Sequence, residues 1–240
     1  MLVRFPTSLS EAQECLAEGA VPIGGATLIW ATWQRDGFPA LAMSLRDLPT
    51  ANAIGREELG GAVVLNRIDD RVPDALRLAA ATVGTGAVRR TATVGGNLVG
   101  SSLRCLLPAA LVLDARATVL ESDGVHETDL GEVVAKRPLL LGLRWREPVA
   151  SCSHKARGDA GGPPPLVVAA AMHADGGEGT SLHVAVRRGY DVLSGSTACD
   201  GDTGRALGAL RGTALGELDS AAWEVVGRQA TALLDRSTGG

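Results

Sequence analysis

Two glycine pairs stand where a backbone could reach a ligand. The first lies in Ile23-Gly24-Gly25-Ala26-Thr27-Leu28, between a strand-like run and a helix-like one. Without a Cβ, successive N–H groups can wrap an anion, and the following helix N-terminus adds partial positive charge. Thr27 can bring a hydroxyl to the same oxygen. The second pair lies in Thr91-Ala92-Thr93-Val94-Gly95-Gly96-Asn97, preceded by Val88-Arg89-Arg90. It packs hydroxyls, glycines and an amide into one short segment. Taken alone, the first pair is more often only a tight turn, and the second is as readily a turn as a ligand loop. Neither is a Walker loop, since the Lys is missing, and neither is a GxGxxG fingerprint.

The elements that must position these loops follow from patterning. Leu2–Phe5 is a short extended run, broken by Pro6. Ser8 or Ser10 can cap a helix that Gly19 stops, with Glu11 and Glu14 near its positive end. Val21–Ile23 then runs into the first loop, Thr27–Gln34 reads as helix ended by Gly37, and Ala40–Leu45 is the next strand. This β-α-β-α-β order makes a small α/β unit. Further on, Ala62–Leu65 is strand-like and Asp69–Val83 carries an apolar helical face. Gly84–Gly100 is turn-rich, Leu106–Asp114 is apolar, and Asp123-Gly124 marks a hairpin. The expected boundary is near Lys136–Pro138. Beyond it Leu139–Trp145 is a strand, Ala156–Pro165 a Gly/Pro loop, and Leu166–His173 and Ser181–Arg187 two strands around an Asp175–Thr180 turn. Helices are expected at Thr203–Leu210 and Ser220–Leu234.

Composition narrows the function classes. The 240 residues are 45% apolar and 21% charged, enough for a buried core in one large domain or two small ones. A net charge of −4 and a pI of about 5.6 argue against a nucleic-acid surface or a polybasic membrane anchor. No apolar run is long enough to span a membrane, and no export signal is read at the N-terminus, so a cytoplasmic protein is expected. Cys15, Cys105, Cys152 and Cys199 are widely spaced, with no CxxC, zinc or iron–sulfur pattern. The four histidines share no ligand spacing, although His173 and His183 can face one another across a hairpin. No metal is expected. There is no Ser/His/Asp or Cys/His set and no carboxylate pair placed for acid/base work.

Together the two loops are specific. The order GGxTL, a helix ending at Gly-Phe-Pro, then V-R-R-x-A-T-V-G-G-N and L-L-P with A-L-V-L-D-A, resembles the FAD-binding subunits of the molybdenum hydroxylases. These include the medium subunit of carbon monoxide dehydrogenase and the flavin domain of xanthine dehydrogenase. The resemblance rests on Gly24, Gly25, Thr27 and Leu28, on Arg89, Ala92, Thr93, Gly95, Gly96 and Asn97, and on Pro108 and Leu113-Asp114-Ala115. It implies an α+β fold with a two-part FAD-binding region at residues 1–135, subdivided at about residue 50, and a small α+β C-terminal domain at 136–240. It implies FAD between the two N-terminal parts, held by Ile23, Gly24, Gly25, Ala26, Thr27, Leu28, Ala92, Thr93, Gly95, Gly96, Asn97 and the position of Leu106. It further implies an oxidoreductase component that passes electrons between iron–sulfur and molybdenum-cofactor subunits and an acceptor. The alternatives are a stand-alone flavoprotein oxidising a small molecule, and a flavin-free protein that keeps the fold.

The chain departs from the resemblance at two loop positions. Ala26 stands where a polar residue is usual. Leu106 stands where the resemblance places an acid, two residues before Pro108, that helps hold the cofactor. In a site that binds FAD in the family's way, Leu106→Asp is expected to tighten binding. If Leu106 packs against neighbours such as Leu107 and Leu111, the same change buries a carboxylate and destabilises the fold. Gly25→Val and Gly96→Val are each expected to abolish cofactor retention while leaving much of the fold.

Overall fold

The structure is a computed structural model that describes residues 1–159, 161–176 and 179–238. In chain order it opens with β1 (Leu2–Arg4), α1 (Leu9–Ala17), β2 (Val21–Pro22), α2 (Ile29–Asp36), β3 (Leu41–Met43) and β4 (Glu58–Gly60). Then come α3 (Asp74–Ala81), α4 (Gly86–Arg89), α5 (Leu107–Val112), β5 (Arg116–Glu121), β6 (Gly124–Thr128) and α6 (Leu130–Lys136). The chain continues with β7 (Leu139–Arg144), β8 (Ala150–Lys155), β9 (Val167–Asp175), β10 (Gly179–Arg188) and β11 (Asp191–Cys199), and ends with α7 (Thr203–Leu210) and α8 (Ser220–Thr238).

Two compact units share these elements. The first comprises residues 1–72, 83–104 and 115–145; the second comprises 73–82, 105–114 and 146–240. The chain therefore leaves the first unit twice to supply α3 and α5 to the second.

In the first unit β1, β3 and β2 form a parallel sheet in that order, with Leu2 opposite Leu41 and Val21 opposite Ala42. Pro22 is tolerated because β2 is an edge strand. Ser8 caps α1 by accepting the N–H of Glu11 at 3.2 Å, and the Glu11 carboxylate reaches back to the Thr7 N–H at 2.7 Å. Gly19 (φ 79°) and Gly37 (φ 100°) end the two helices in conformations that glycine adopts without strain. An antiparallel sheet, β4-β7-β5-β6, completes the unit. Ala12, Cys15 and Met43 of the α/β part share a core with Leu120 of β5 and Leu141 of β7.

The strand Leu139–Arg144, expected to open the C-terminal domain, pairs instead with β5 and β4 and belongs to the first unit. The predicted helix Asp69–Val83 is shortened to Asp74–Ala81. Pro73, at φ −55° and ψ 145°, fixes extended backbone at its start.

The second unit is an antiparallel sheet, β11-β10-β9-β8. Val168, Ala170 and Met172 of β9 and Leu182, Val184 and Val186 of β10 pack with Leu210 of α7 and with Trp223, Val226 and Leu233 of α8. Of the turn expected at Asp175–Thr180, Gly177 and Glu178 lie outside the described residues, as does Ala160 of the Gly/Pro loop. The four cysteines are buried free thiols. No helix among the described residues is long and apolar enough to cross a membrane.

His173 and His183 do meet, with ring centroids 4.7 Å apart. His173 is buried, and its Nε2–H donates to the Val112 carbonyl at 2.7 Å, closing the end of α5. Burial lowers the pKa of His183 from 6.5, and His173 and Arg146 push the same way, against Asp114 and Asp175. In the unfolded chain His183 takes up its proton near pH 6.5; in the fold it does so only at lower pH. Stability should therefore fall as pH drops through 6.5 and level off below the folded pKa. His183→Gln should flatten this slope between pH 7.5 and 5.5 in thermal melts. A variant as acid-sensitive as wild type would contradict the assignment.

Candidate functional site

A cleft of about 620 Å³ lies in the first unit, within the range of small-molecule sites. Its position follows from the parallel sheet. Ligands of such sheets collect at the carboxyl ends of the strands. Here those ends supply Phe5 after β1, Ile23–Ala26 after β2, and Ser44–Arg46 after β3, all lining the cleft. Thr91, Thr93, Gly95 and Gly96 form another wall, and Gly61, Ala62, Val64 and Arg137–Leu140 are among the other lining residues.

The glycines allow backbone to lie on backbone. A Cβ on Gly25 would overlap the Thr91 carbonyl and stand 2.8 Å from the Ala92 nitrogen, and one on Gly24 would strike the Thr93 hydroxyl. The two sequence-predicted loops are therefore in direct contact. Gly61 continues the stack, accepting the Gly95 N–H at 2.8 Å and donating to the Leu141 carbonyl at 2.7 Å. A Cβ on Gly61 would collide with the Leu140 carbonyl. The freedom from side chains that sequence reasoning assigned to close approach by a ligand is used here, at Gly24, Gly25 and Gly61, for approach between segments of the protein. Positive φ occurs at Ala26 (54°), not at either glycine of the first pair.

The amide donors divide unequally between the loops. Val94 N–H donates to the Val63 carbonyl, Gly95 N–H to Gly61, Gly96 N–H to the Thr93 hydroxyl at 3.1 Å, and Asn97 N–H to the Thr93 carbonyl. The second loop has thus committed these four amides inside the protein. Among the described residues, no hydrogen bond from the amides of Gly24, Gly25 or Ala26 to protein is found. Among the described residues, the loop amides without a protein partner include those of Gly24, Gly25 and Ala26 on the first loop and that of Thr93 on the second.

Of the predicted binding residues, Ile23, Gly24, Gly25, Ala26, Thr93, Gly95 and Gly96 line the cleft. Thr27 and Leu28 are exposed at the start of α2, while Ala92 and Asn97 are buried behind the second loop. Leu106 belongs to the second unit, with its side chain fully buried. Arg46, Arg137 and the Gly61–Ala62 segment escaped the sequence reading. Phe5 and Ile23 share one signal with Ser44, since each follows directly on a parallel strand, and Arg46 lies two residues beyond Ser44.

Among the described residues, the lining carries two guanidinium groups and no Asp, Glu, His or Cys. With free amides on both loops, it suits an anionic ligand bound without proton transfer. Residues 3–140 match the FAD binding domain in molybdopterin dehydrogenase, and the chain belongs to that family. FAD is its cofactor, and the cleft's cationic, acid-free lining fits that group's diphosphate.

The whole chain has the same fold as a chain of quinoline 2-oxidoreductase from Pseudomonas putida 86. The TM-score is 0.72 at 18% identity, covering 98% of this chain and 97% of the other. Similar chains occur in the reconstituted CO dehydrogenase from Oligotropha carboxidovorans (TM-score 0.70, 17% identity) and in the carbon monoxide dehydrogenase from Hydrogenophaga pseudoflava (0.70, 16%). Each of these covers 98% of this chain and 96% of its own. No curated protein sequence matches this one.

Proposed function

We propose that this chain is the FAD-carrying component of an oxidoreductase, taking electrons from iron–sulfur and molybdenum-cofactor subunits and handing them to an acceptor. The supporting observation is that both glycine loops of an FAD-binding domain converge, backbone on backbone, on one cleft. The similar chains come from oxidoreductases, among them a Cu,Mo-CO dehydrogenase.

When bound, the flavin supplies the redox chemistry. The protein's part is to hold and orient it. In this reading the amides of Gly24, Gly25 and Ala26 face the diphosphate, and Thr93, Gly95 and Gly96 shape the opposite wall. Ala92 and Asn97 fix that wall from behind, and Thr27 and Leu28 lead into α2. The apolar side chains of Val3, Ile23, Val64 and Leu140 exclude water from the remainder.

Purified protein should carry the visible absorption bands of a flavin and co-purify with larger redox subunits. The absence of His and Cys from the lining predicts non-covalent attachment. Intact FAD should appear in the supernatant after acid or heat denaturation. Flavin that stays with the precipitated chain would refute that mode of binding, and a colourless protein that cannot be loaded with FAD would refute the function.

A further inference from the structure

We propose that Arg46 and Arg137 read the negative charge of the bound dinucleotide. This rests on the reading of the cleft as the FAD site. The hydrogen-bond pattern motivates it. The amides of Val94, Gly95, Gly96 and Asn97 are committed to Val63, Gly61 and Thr93. This leaves those of Gly24, Gly25, Ala26 and Thr93 as the backbone donors of the two loops' lining, a small set to which charged side chains can add.

Among the described residues, the two arginines are the only charged ones lining the cleft, in a chain whose net charge is −4. Arg46 lies over the Phe5 ring at 4.1 Å, which orients its planar guanidinium. Its carboxylate neighbour is the adjacent Asp47 at 3.7 Å, a loose and exposed contact. Arg137 ends α6 in a left-handed conformation (φ 53°), with its amide donating to the Val133 carbonyl at 3.0 Å. Its side chain forms no ion pair among the described residues. Two guanidiniums and the free amides of Gly24–Ala26 form a donor set for a diphosphate in a cleft whose lining, among the described residues, holds no carboxylate.

The test measures FAD affinity by flavin fluorescence in the apo-protein at two salt concentrations. Arg46→Gln and Arg137→Asn remove the charges, Asn being chosen because it tolerates positive φ. Each should weaken FAD about tenfold and the pair about a hundredfold, as loss of charge-assisted hydrogen bonds allows. Wild-type affinity should fall with salt, and the double variant should lose most of that dependence. Arg46→Lys and Arg137→Lys should retain it, which a purely structural role would not require. If the double variant binds FAD within threefold of wild type and with the same salt dependence, the arginines do not face the diphosphate, although the cleft remains the FAD site. If wild-type protein fails to bind FAD at all, the reading of the cleft falls and takes this proposal with it.

Discussion

Gly25→Val is expected to damage the first unit before any ligand is considered. A side chain there has no room, because the Cβ would overlap the Thr91 carbonyl and crowd the Ala92 nitrogen, and both are backbone atoms. Relief requires moving one loop off the other, and with it the hydrogen bonds by which Gly95 holds Gly61 and Leu65 holds Ala92. Overpacking of this kind costs about 1–3 kcal/mol, and a branched side chain against fixed backbone belongs at or above the upper end. The sequence-based expectation that Gly25→Val spares the fold is therefore revised. Gly96→Val supplies the contrast. A Cβ at Gly96 meets only the Thr93 hydroxyl, at 3.1 Å, so its effect on the melt should be much smaller. Because Gly96 lines the cleft, its variant should still lose FAD. Urea titration of both apo-proteins checks the order. Equal destabilisation would mean that loop contact is not what Gly25 serves.

The loops were legible because their composition is local. Gly-Gly followed by Thr, and Thr-Val-Gly-Gly-Asn, state their backbone needs within a few residues. The α/β start was legible for the same reason, since Ser8, Gly19 and Gly37 mark helix ends by their own chemistry. What escaped depends on distant pairing. Arg137 reaches the cleft because β7 aligns with β5 and β4, a register set by side chains far away in sequence. Reading Leu139–Arg144 as part of the following domain was the natural error, as only the partner strand decides which sheet receives it. Strand β11 was missed because Asp-Val-Leu-Ser-Gly-Ser-Thr-Ala-Cys has little apolar alternation. It is an edge strand whose residues stay mostly half-exposed, so burial left no imprint on its sequence. Arg46 was legible in principle, from its place just beyond a parallel strand, but only once β3 was known to lie between β1 and β2.

Leu106→Asp separates the two outcomes that the sequence left open, and the structure favours the second. The Leu106 side chain is fully buried, just ahead of the buried residues Leu107, Pro108, Ala109 and Ala110 of α5. An acid at this place would stand at the N-cap position of the helix. Capping uses extended backbone, whereas Leu106 already holds helical angles, φ −83° and ψ −15°. The carboxylate would lose its hydration without gaining that bond, while the apolar contacts of the leucine are also lost. Burying a charge without its partner and truncating a core leucine each cost about 2–5 kcal/mol, so a loss of about 4 kcal/mol or more is expected. That is a large part of the ~5–15 kcal/mol by which domains are stable. The charge share can be isolated by pH. A buried carboxyl has its pKa raised, so the deficit relative to wild type should be full at neutral pH and shrink as pH falls through that raised value. Leu106→Asn, which carries no charge, should show a smaller deficit with no such recovery. An Asp variant that melts with wild type and binds FAD more tightly would place this position at the cofactor after all.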